Sequence, residues 1–249
     1  HLPLLLNPDK SKLSKRQGDV AVEDYVKKGY LKEAIINFVA LLGWNPGEGE
    51  TQEIFSMEEL IQRFDLSHVH KGGAVFDVKK LDWINNQYIK KLSIEELYEK
   101  SLKFFEQKDF FVNASSEMKT EEYLKKVLTV EQERLQRLSE AGENSQFLFN
   151  NNLNYSKDDI RWKKNSDEET KISLEKALEI MENISEENWK KENVEKELLK
   201  AAGDKRGDLL FPLRWVLTGQ KFSPNPFEIA WVLGRKESLK RIKKALKLF

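Results

Sequence analysis

Apolar residues recur at intervals of three and four along most of the chain, the spacing that places them on one face of an α-helix. The clearest case is 31–42, where Gly43 follows at a position that commonly ends a helix. The same pattern predicts further helices over 56–64, 77–88, 93–105, 121–128, 131–141, 173–181, 189–202, 208–217, 227–233 and 237–248. No long segment alternates apolar and polar residues as a half-buried strand does. The predicted fold class is therefore nearly all α, built from many short helices.

Local signals support several helix boundaries. Ser56 with Glu59, and Ser93 with Glu96, have the spacing of a capping box. Pro212 indicates that its helix starts near that residue, because proline suits a first turn. The segment 158–169 is rich in charge and is expected to be exposed. On the 56–64 helix, the residues expected to form the apolar face are Met57, Leu60, Ile61 and Phe64.

Composition excludes several kinds of site. The chain has 249 residues, enough for one large or two ordinary domains, with no cysteine and only three histidines. Disulfides and thiolate metal sites are thus impossible, and a histidine metal site is not expected. No apolar run is long enough to span a membrane, so we expect a cytoplasmic protein. Residues 190–249 carry 15 Lys+Arg against 7 Asp+Glu, which favours contact with a polyanion on one face.

A basic loop near the start of the chain is the strongest candidate for chemistry. Lys12-Leu13-Ser14-Lys15-Arg16 is followed by Gln17-Gly18, so long cationic side chains lie on a glycine-softened loop. Such a loop can surround nucleotide phosphates and stabilise negative charge as it develops. Taken alone, the pentapeptide is more typical of a solvated basic loop.

The chain resembles a known family over essentially its whole length. The basic loop resembles the Lys-Met-Ser-Lys-Ser signature of class I aminoacyl-tRNA synthetases, with leucine and arginine replacing two of its residues. Downstream blocks resemble the bacterial-type glutamyl-tRNA synthetases, and their order and spacing agree throughout. They include Ala40-Leu41-Leu42-Gly43-Trp44, Phe55-Ser56-Met57-Glu58-Glu59-Leu60, Lys80-Leu81-Asp82-Trp83-Ile84-Asn85 and Pro212-Leu213-Arg214 with Leu217-Thr218-Gly219.

The resemblance implies a domain organisation. The other class I signature and the nucleotide-binding sheet are absent, so we expect the chain to be the C-terminal portion of a longer enzyme. Residues 1–18 resemble the tail of the catalytic domain, and 19–112 a helical stem-contact bundle. Residues 113–249 resemble an α-helical anticodon-binding domain, with two subdomains, 113–185 and 186–249, as the alternative division.

The same resemblance implies site residues and substrates. Lys12 and Lys15 are the expected catalytic residues, and Lys12, Ser14, Lys15 and Arg16 the expected ATP contacts. ATP and Mg²⁺ are expected for the full-length enzyme, none for this portion alone, which should be inactive without the nucleotide fold. The expected partner is tRNA(Glu), bound by a monomer with no metal site and no membrane contact.

Anticodon recognition is expected at two places. Arg134 corresponds to the arginine that contacts the third anticodon letter, although the spacing also fits an exposed helical arginine. The residues implied for the second half of the pocket are Arg214, Ser223, Pro224, Pro226 and Phe227. Two alternatives stay open at this point: a relaxed-specificity or duplicate synthetase that also charges tRNA(Gln), and a helical interaction module with no nucleic-acid role.

Overall fold

The computed structural model describes residues 4–14, 21–47 and 49–249, and the chain divides into two compact units. The first unit comprises His1–Phe105 and Gln132–Ala141, and the second comprises Glu106–Glu131 and Gly142–Phe249. Both are built almost entirely from helices, which confirms the predicted fold class. The division into 1–18, 19–112 and 113–249 stays a prediction.

The first unit is a small helical bundle with one short pair of parallel strands. The strands pair Leu5 with Ala74 and Leu6 with Val75. Its elements are β1 (Leu5–Leu6), α1 (Val22–Lys27), α2 (Lys32–Leu41), α3 (Met57–Arg63), β2 (Ala74–Val75), α4 (Val78–Ile89) and α5 (Ile94–Phe105). In the part of this unit that the structure describes, 3-10 turns lie at Leu66–His68 and Leu138–Glu140. Both predicted capping boxes form, with the Ser56 and Ser93 hydroxyls accepting from the Glu59 and Glu96 amides.

The second unit packs its long helices around an apolar core. Its helices are α6 (Asp109–Val112), α7 (Glu121–Glu131), α8 (Lys157–Ile160), α9 (Asp167–Glu182), α10 (Lys191–Ala202), α11 (Arg206–Thr218) and α12 (Pro226–Leu246). 3-10 turns lie at Ser116–Lys119, Glu143–Leu148 and Glu186–Asn188. Core residues with no exposed surface include Leu124, Leu148, Leu174, Leu198, Leu213 and Ile242. A kink at Gly234, with φ of 77°, separates the two helices predicted at 227–233 and 237–248.

The predicted helix over 131–141 is wrong. Helix α7 ends at Glu131, and residues 132–137 form an irregular turn before the 3-10 turn Leu138–Glu140. The side-chain amides of Asn85 and Asn86, on α4, donate hydrogen bonds to the carbonyls of Gln136 and Leu135. The side chains of Leu135 and Leu138 are buried. Long-range packing therefore overrides the helical pattern of the sequence.

Three smaller expectations also fail. Helix α11 begins at Arg206, so Pro212 lies inside it, where the burial of Leu209 and Leu213 compensates for the missing hydrogen bond. The segment 158–169 is not uniformly exposed, because Ile160 is fully buried. Leu60 is the only buried residue of α3. The other members of its expected apolar face, Met57, Ile61 and Phe64, are exposed.

Candidate nucleic-acid interface

The basic loop is attached to β1 at its start. The amide of Leu13 donates to the carbonyl of Leu5 at 2.9 Å, and Lys12 bridges Leu6 in antiparallel register. The Lys12 side chain is exposed, and no described carboxylate pairs with it. Ser14 is partly buried at the end of this described stretch. Lys15 and Arg16 lie outside the described residues.

Arg134 lies on the Arg134 turn, which we define as residues 132–137 of the first unit. Its side chain is exposed, and the next residue, Leu135, is 2% exposed and fixes the turn in the core. Arg137, the neighbouring arginine, forms a two-point pair with Glu140, with Nε–Oε1 at 2.8 Å and Nη2–Oε1 at 2.6 Å. The structure thus gives the two arginines different surroundings.

The chain just after the Arg134 turn is also fixed to the first unit. The amide of Leu138 donates to the carbonyl of Gly29 at 3.0 Å, and the Ser139 hydroxyl donates to the carbonyl of Lys28 at 2.7 Å. Gly29 has φ of +87°, and a Cβ there would stand 2.5 Å from the Ser139 nitrogen. Only glycine permits this approach.

Arg214 lies on α11 of the second unit, in a half-buried position. Its Nε is buried without a hydrogen-bond partner, and no described carboxylate pairs with the guanidinium. Burial lowers the pKa of Arg214 from its ordinary value. A buried, unpaired donor on a cation is costly, and such groups call for an explanation such as a ligand that binds there.

The turn that follows α11 has a rigid backbone. Asn225 begins α12 with a capping box, its amide donating to Glu228 at 3.1 Å. The Ser223 hydroxyl donates to the carbonyl of Pro224 at 2.8 Å. Pro224, Pro226 and Phe227 are all buried, so what this turn offers a ligand is its backbone and the Asn225 side chain. Arg134 belongs to the first unit, whereas Arg214 and this turn belong to the second.

Phe222 is a candidate that the sequence analysis missed. Its ring is 79% exposed, while the predicted aromatic, Phe227, is 8% exposed. The ammonium of Lys221 lies 5.7 Å from the centre of the Phe222 ring. An exposed aromatic ring beside a cation suits stacking on an unpaired base. The available signal was an apolar residue inside a polar loop, between Gly219 and Pro224.

Arg241 was also missed, and it supports the same region from within the core. Its guanidinium is almost fully buried and donates to the carbonyls of Leu217 at 2.5 Å and Asn150 at 3.0 Å. Glu237 balances its charge at 3.1 Å. Arg241 therefore fixes the end of α11, close to Arg214 in sequence, and acts as a structural residue.

Two kinds of site are not found in the described part of the chain. No group of three or more His, Asp or Glu side chains there could hold a metal ion. None of its helices is both long and apolar enough to cross a membrane.

Comparison with known proteins identifies the family. A model of the class I tRNA synthetase catalytic domain (E and Q) matches residues 1–83. A model of the anticodon-binding domain matches residues 96–246, more than half of the chain. The chain belongs to this anticodon-binding family. Arg134, Arg214 and Phe222 all lie within the anticodon-binding match, and Lys12 lies within the catalytic one.

Relatives of this anticodon-binding chain are glutamate–tRNA ligases, which confirms the resemblance seen in the sequence. The ligase of Chlorobaculum parvum is 43% identical over 253 residues, covering 99% of this chain and 49% of its own length. The crystal structure of a glutamate tRNA ligase from Elizabethkingia meningosepticum, in complex with its amino acid, gives a TM-score of 0.77 at 28% identity. That of Elizabethkingia anophelis gives 0.75 at 29%. The chain covers 51% and 50% of these two structures, with 99% of itself matched in each.

Proposed function

We propose that this chain is the tRNA-binding part of a glutamate–tRNA ligase, which activates glutamate with ATP and transfers it to tRNA(Glu). The chain spans about half the length of the curated relatives it matches. The observation that carries the proposal is the unpaired, half-buried guanidinium of Arg214 inside the anticodon-binding match. A cation with no counter-ion among the described residues favours a polyanionic partner with exposed acceptors, as single-stranded RNA is.

Arg134 supplies the proposed contact with the third anticodon letter. That letter is cytosine in glutamate tRNAs and guanine in glutamine tRNAs. The pairing edge of cytosine offers two acceptors, O2 and N3, to a guanidinium that only donates. Guanine presents donors at N1 and N2 on the same edge, so donors would face donors. Arg134 therefore favours the glutamate anticodon, which supports a strict specificity over a relaxed one.

In the second unit, Arg214 and the loop after α11 form a further proposed set of anticodon contacts. Arg214 donates to phosphate or base acceptors, and the backbone of Ser223–Phe227 offers fixed polar groups. Phe222 provides a ring on which an unpaired base stacks. Because the chemistry of these groups requires splayed bases, the proposal favours a tRNA ligand over the alternative of a helical protein-interaction module.

Lys12 and Lys15 are proposed to stabilise the triphosphate of ATP. The exposed Lys12 ammonium fits a phosphate contact. When bound, ATP supplies the leaving pyrophosphate, and the lysines add placed positive charge with no proton transfer. The proposed Mg²⁺ accompanies the phosphates, as this ion prefers. The chain alone is expected to leave ATP–pyrophosphate exchange at background, since the family's nucleotide-binding sheet is not part of it.

The proposal is tested by filter binding of purified tRNA(Glu) to this chain over a range of salt concentrations. We expect specific binding that weakens steeply with salt, because RNA binding releases condensed counterions. As a control, tRNA(Glu) with a replaced anticodon loop should bind more weakly at every salt concentration. Equal affinity for the two RNAs would contradict anticodon recognition, and no binding at low salt would contradict any tRNA role.

A further inference from the structure

One side chain of α4 contacts the backbone on both sides of Arg134. The Nδ2 of Asn86 donates to the carbonyl of Glu133 at 3.2 Å and to that of Leu135 at 2.8 Å. These are the residues directly before and after Arg134 in the chain. The Glu133 carbonyl lies in the peptide unit that joins Glu133 to Arg134, and the Leu135 carbonyl lies in the unit that follows Leu135. A single amide group thus spans the backbone segment from which the Arg134 side chain leaves.

Further contacts, with the end of α4 and the residues just after it, hold the start of the turn. The Nε2 of Gln132 donates to the carbonyls of Ile89, at 3.0 Å, and Leu92, at 2.8 Å. The ammonium of Lys90 pairs with Glu133 at 3.0 Å. The turn therefore has an irregular backbone in one well-defined conformation, although Arg134 itself is exposed.

Such a costly arrangement is not needed to expose an arginine, because any surface helix would do so. A guanidinium that must meet two acceptors on one base edge needs a fixed origin, since an error of about 1 Å removes most of the benefit. We propose that Asn86 is a positioning residue, which orients Arg134 for the third anticodon letter. This inference rests on the proposed function of Arg134.

The test is a double-mutant cycle on the preference for cytosine over guanine. The quantity is the ratio of Kd values of this chain for two tRNAs that differ only at the third anticodon letter. The variants are Arg134→Gln, Asn86→Asp and the double variant. Aspartate has the size of asparagine but cannot donate to the two carbonyls. Its added negative charge repels both tRNAs, so the ratio cancels that general effect, and the double variant shows whether the remaining change passes through Arg134.

Asn193→Asp is the matched control. It adds the same charge and removes one side-chain bond to a backbone carbonyl, that of Asn188 at 3.0 Å, in the second unit. Its ratio should equal that of the unmodified chain. Gln132→Glu removes the donor at the start of the turn. This variant tests the same positioning role if Asn86→Asp does not fold.

We expect Asn86→Asp to lower the preference by about fivefold or more, and to have no further effect when Arg134 is already glutamine. Gln132→Glu should lower it in the same direction. The positioning role would be overturned if Asn86→Asp and Gln132→Glu kept the normal Kd ratio while Arg134→Gln lowered it. The proposed role of Arg134 would then still stand. A normal ratio in Arg134→Gln would overturn the role of Arg134 and with it this inference.

Discussion

Arg134 and Arg214 present a guanidinium in two different ways. Arg134 is exposed on an irregular turn of the first unit, and its backbone is fixed by side chains of α4. Arg214 is half-buried on the regular helix α11 of the second unit, and its Nε has no partner. A guanidinium that has already lost water gains more from a ligand than an exposed one does. The comparison therefore assigns affinity mainly to Arg214 and discrimination mainly to Arg134.

The largest effect is expected from Gly29→Ala, which disturbs the first unit alone. A Cβ at φ of +87° would lie 2.5 Å from the Ser139 nitrogen and 2.9 Å from the Leu138 nitrogen, both backbone atoms. Strain and displacement together should lower the free energy of unfolding by about 2–4 kcal/mol. Urea unfolding followed by circular dichroism measures this change.

Gly203→Ala separates the cost of backbone strain from the cost of displacing neighbouring backbone atoms. Gly203 also has a positive φ, +52°, but no atom lies within 4 Å of its added Cβ. Its cost should be about 1–3 kcal/mol, from the backbone conformation alone, since its ψ of −137° is one that only glycine adopts readily. If both variants lose the same stability, the close approach at Gly29 does not hold the chain that follows the Arg134 turn.

Arg214→Met is expected to weaken tRNA(Glu) binding by about 1.5–3 kcal/mol, the value of a hydrogen bond to a charged group. The loss should be equal for the two tRNAs that differ at the third letter. Stability should not fall, because the variant removes a half-buried charge that has no partner. Filter binding and thermal unfolding give the two quantities.

Arg206→Met is the control for Arg214, as Arg206 is exposed at the first residue of the same helix. It removes one surface charge and should change binding by less than about 1 kcal/mol. An Arg214→Met variant that binds normally but unfolds more easily would make Arg214 a packing residue.

Arg134→Gln is expected to leave most of the affinity and to reduce the preference for cytosine at the third letter by about 1–3 kcal/mol. Glutamine supplies a donor and an acceptor, so it tolerates either base. Arg137→Gln is the natural control, because Glu140 already engages that guanidinium at 2.6 Å. Were Arg137→Gln to abolish the preference instead, the recognition residue would be Arg137.

The smallest effect is expected from Phe222→Leu, which keeps an apolar side chain but removes the aromatic face. Loss of one stacked base should cost about 1 kcal/mol, the low end of the range for such contacts. The cost should be the same for both tRNAs, since every base has a face to stack. Normal binding by this variant, or a loss that depends on the third letter, would contradict stacking at Phe222.

Local chemistry explains which parts of this structure the sequence predicts. The capping boxes at Ser56 and Ser93 depend on residues within one turn of each other, and both form. Each of them could be inferred from spacing alone.

The failures are long-range. Helix α7 stops at Glu131 because α4, about fifty residues away in sequence, supplies Asn85 and Asn86 to the carbonyls of the following turn. Similarly, Phe227 and Phe222 look alike in a sequence, but only packing buries the first and exposes the second. The resemblance to glutamyl-tRNA synthetases predicted the family and drew attention to Arg134 and Arg214, but not the surroundings that distinguish them.

The most direct test of the account is chemical modification of the anticodon in the presence of this chain. Dimethyl sulfate methylates N3 of an unpaired cytosine, the same atom that Arg134 is proposed to contact. Binding should protect N3 of the third anticodon letter of tRNA(Glu), and Arg134→Ala, which leaves no donor at that place, should leave N3 reactive at saturating concentration. The Arg214→Met variant, also at saturating concentration, should still protect this N3. Full reactivity of that cytosine in the saturated complex with the unmodified chain would contradict anticodon recognition by Arg134.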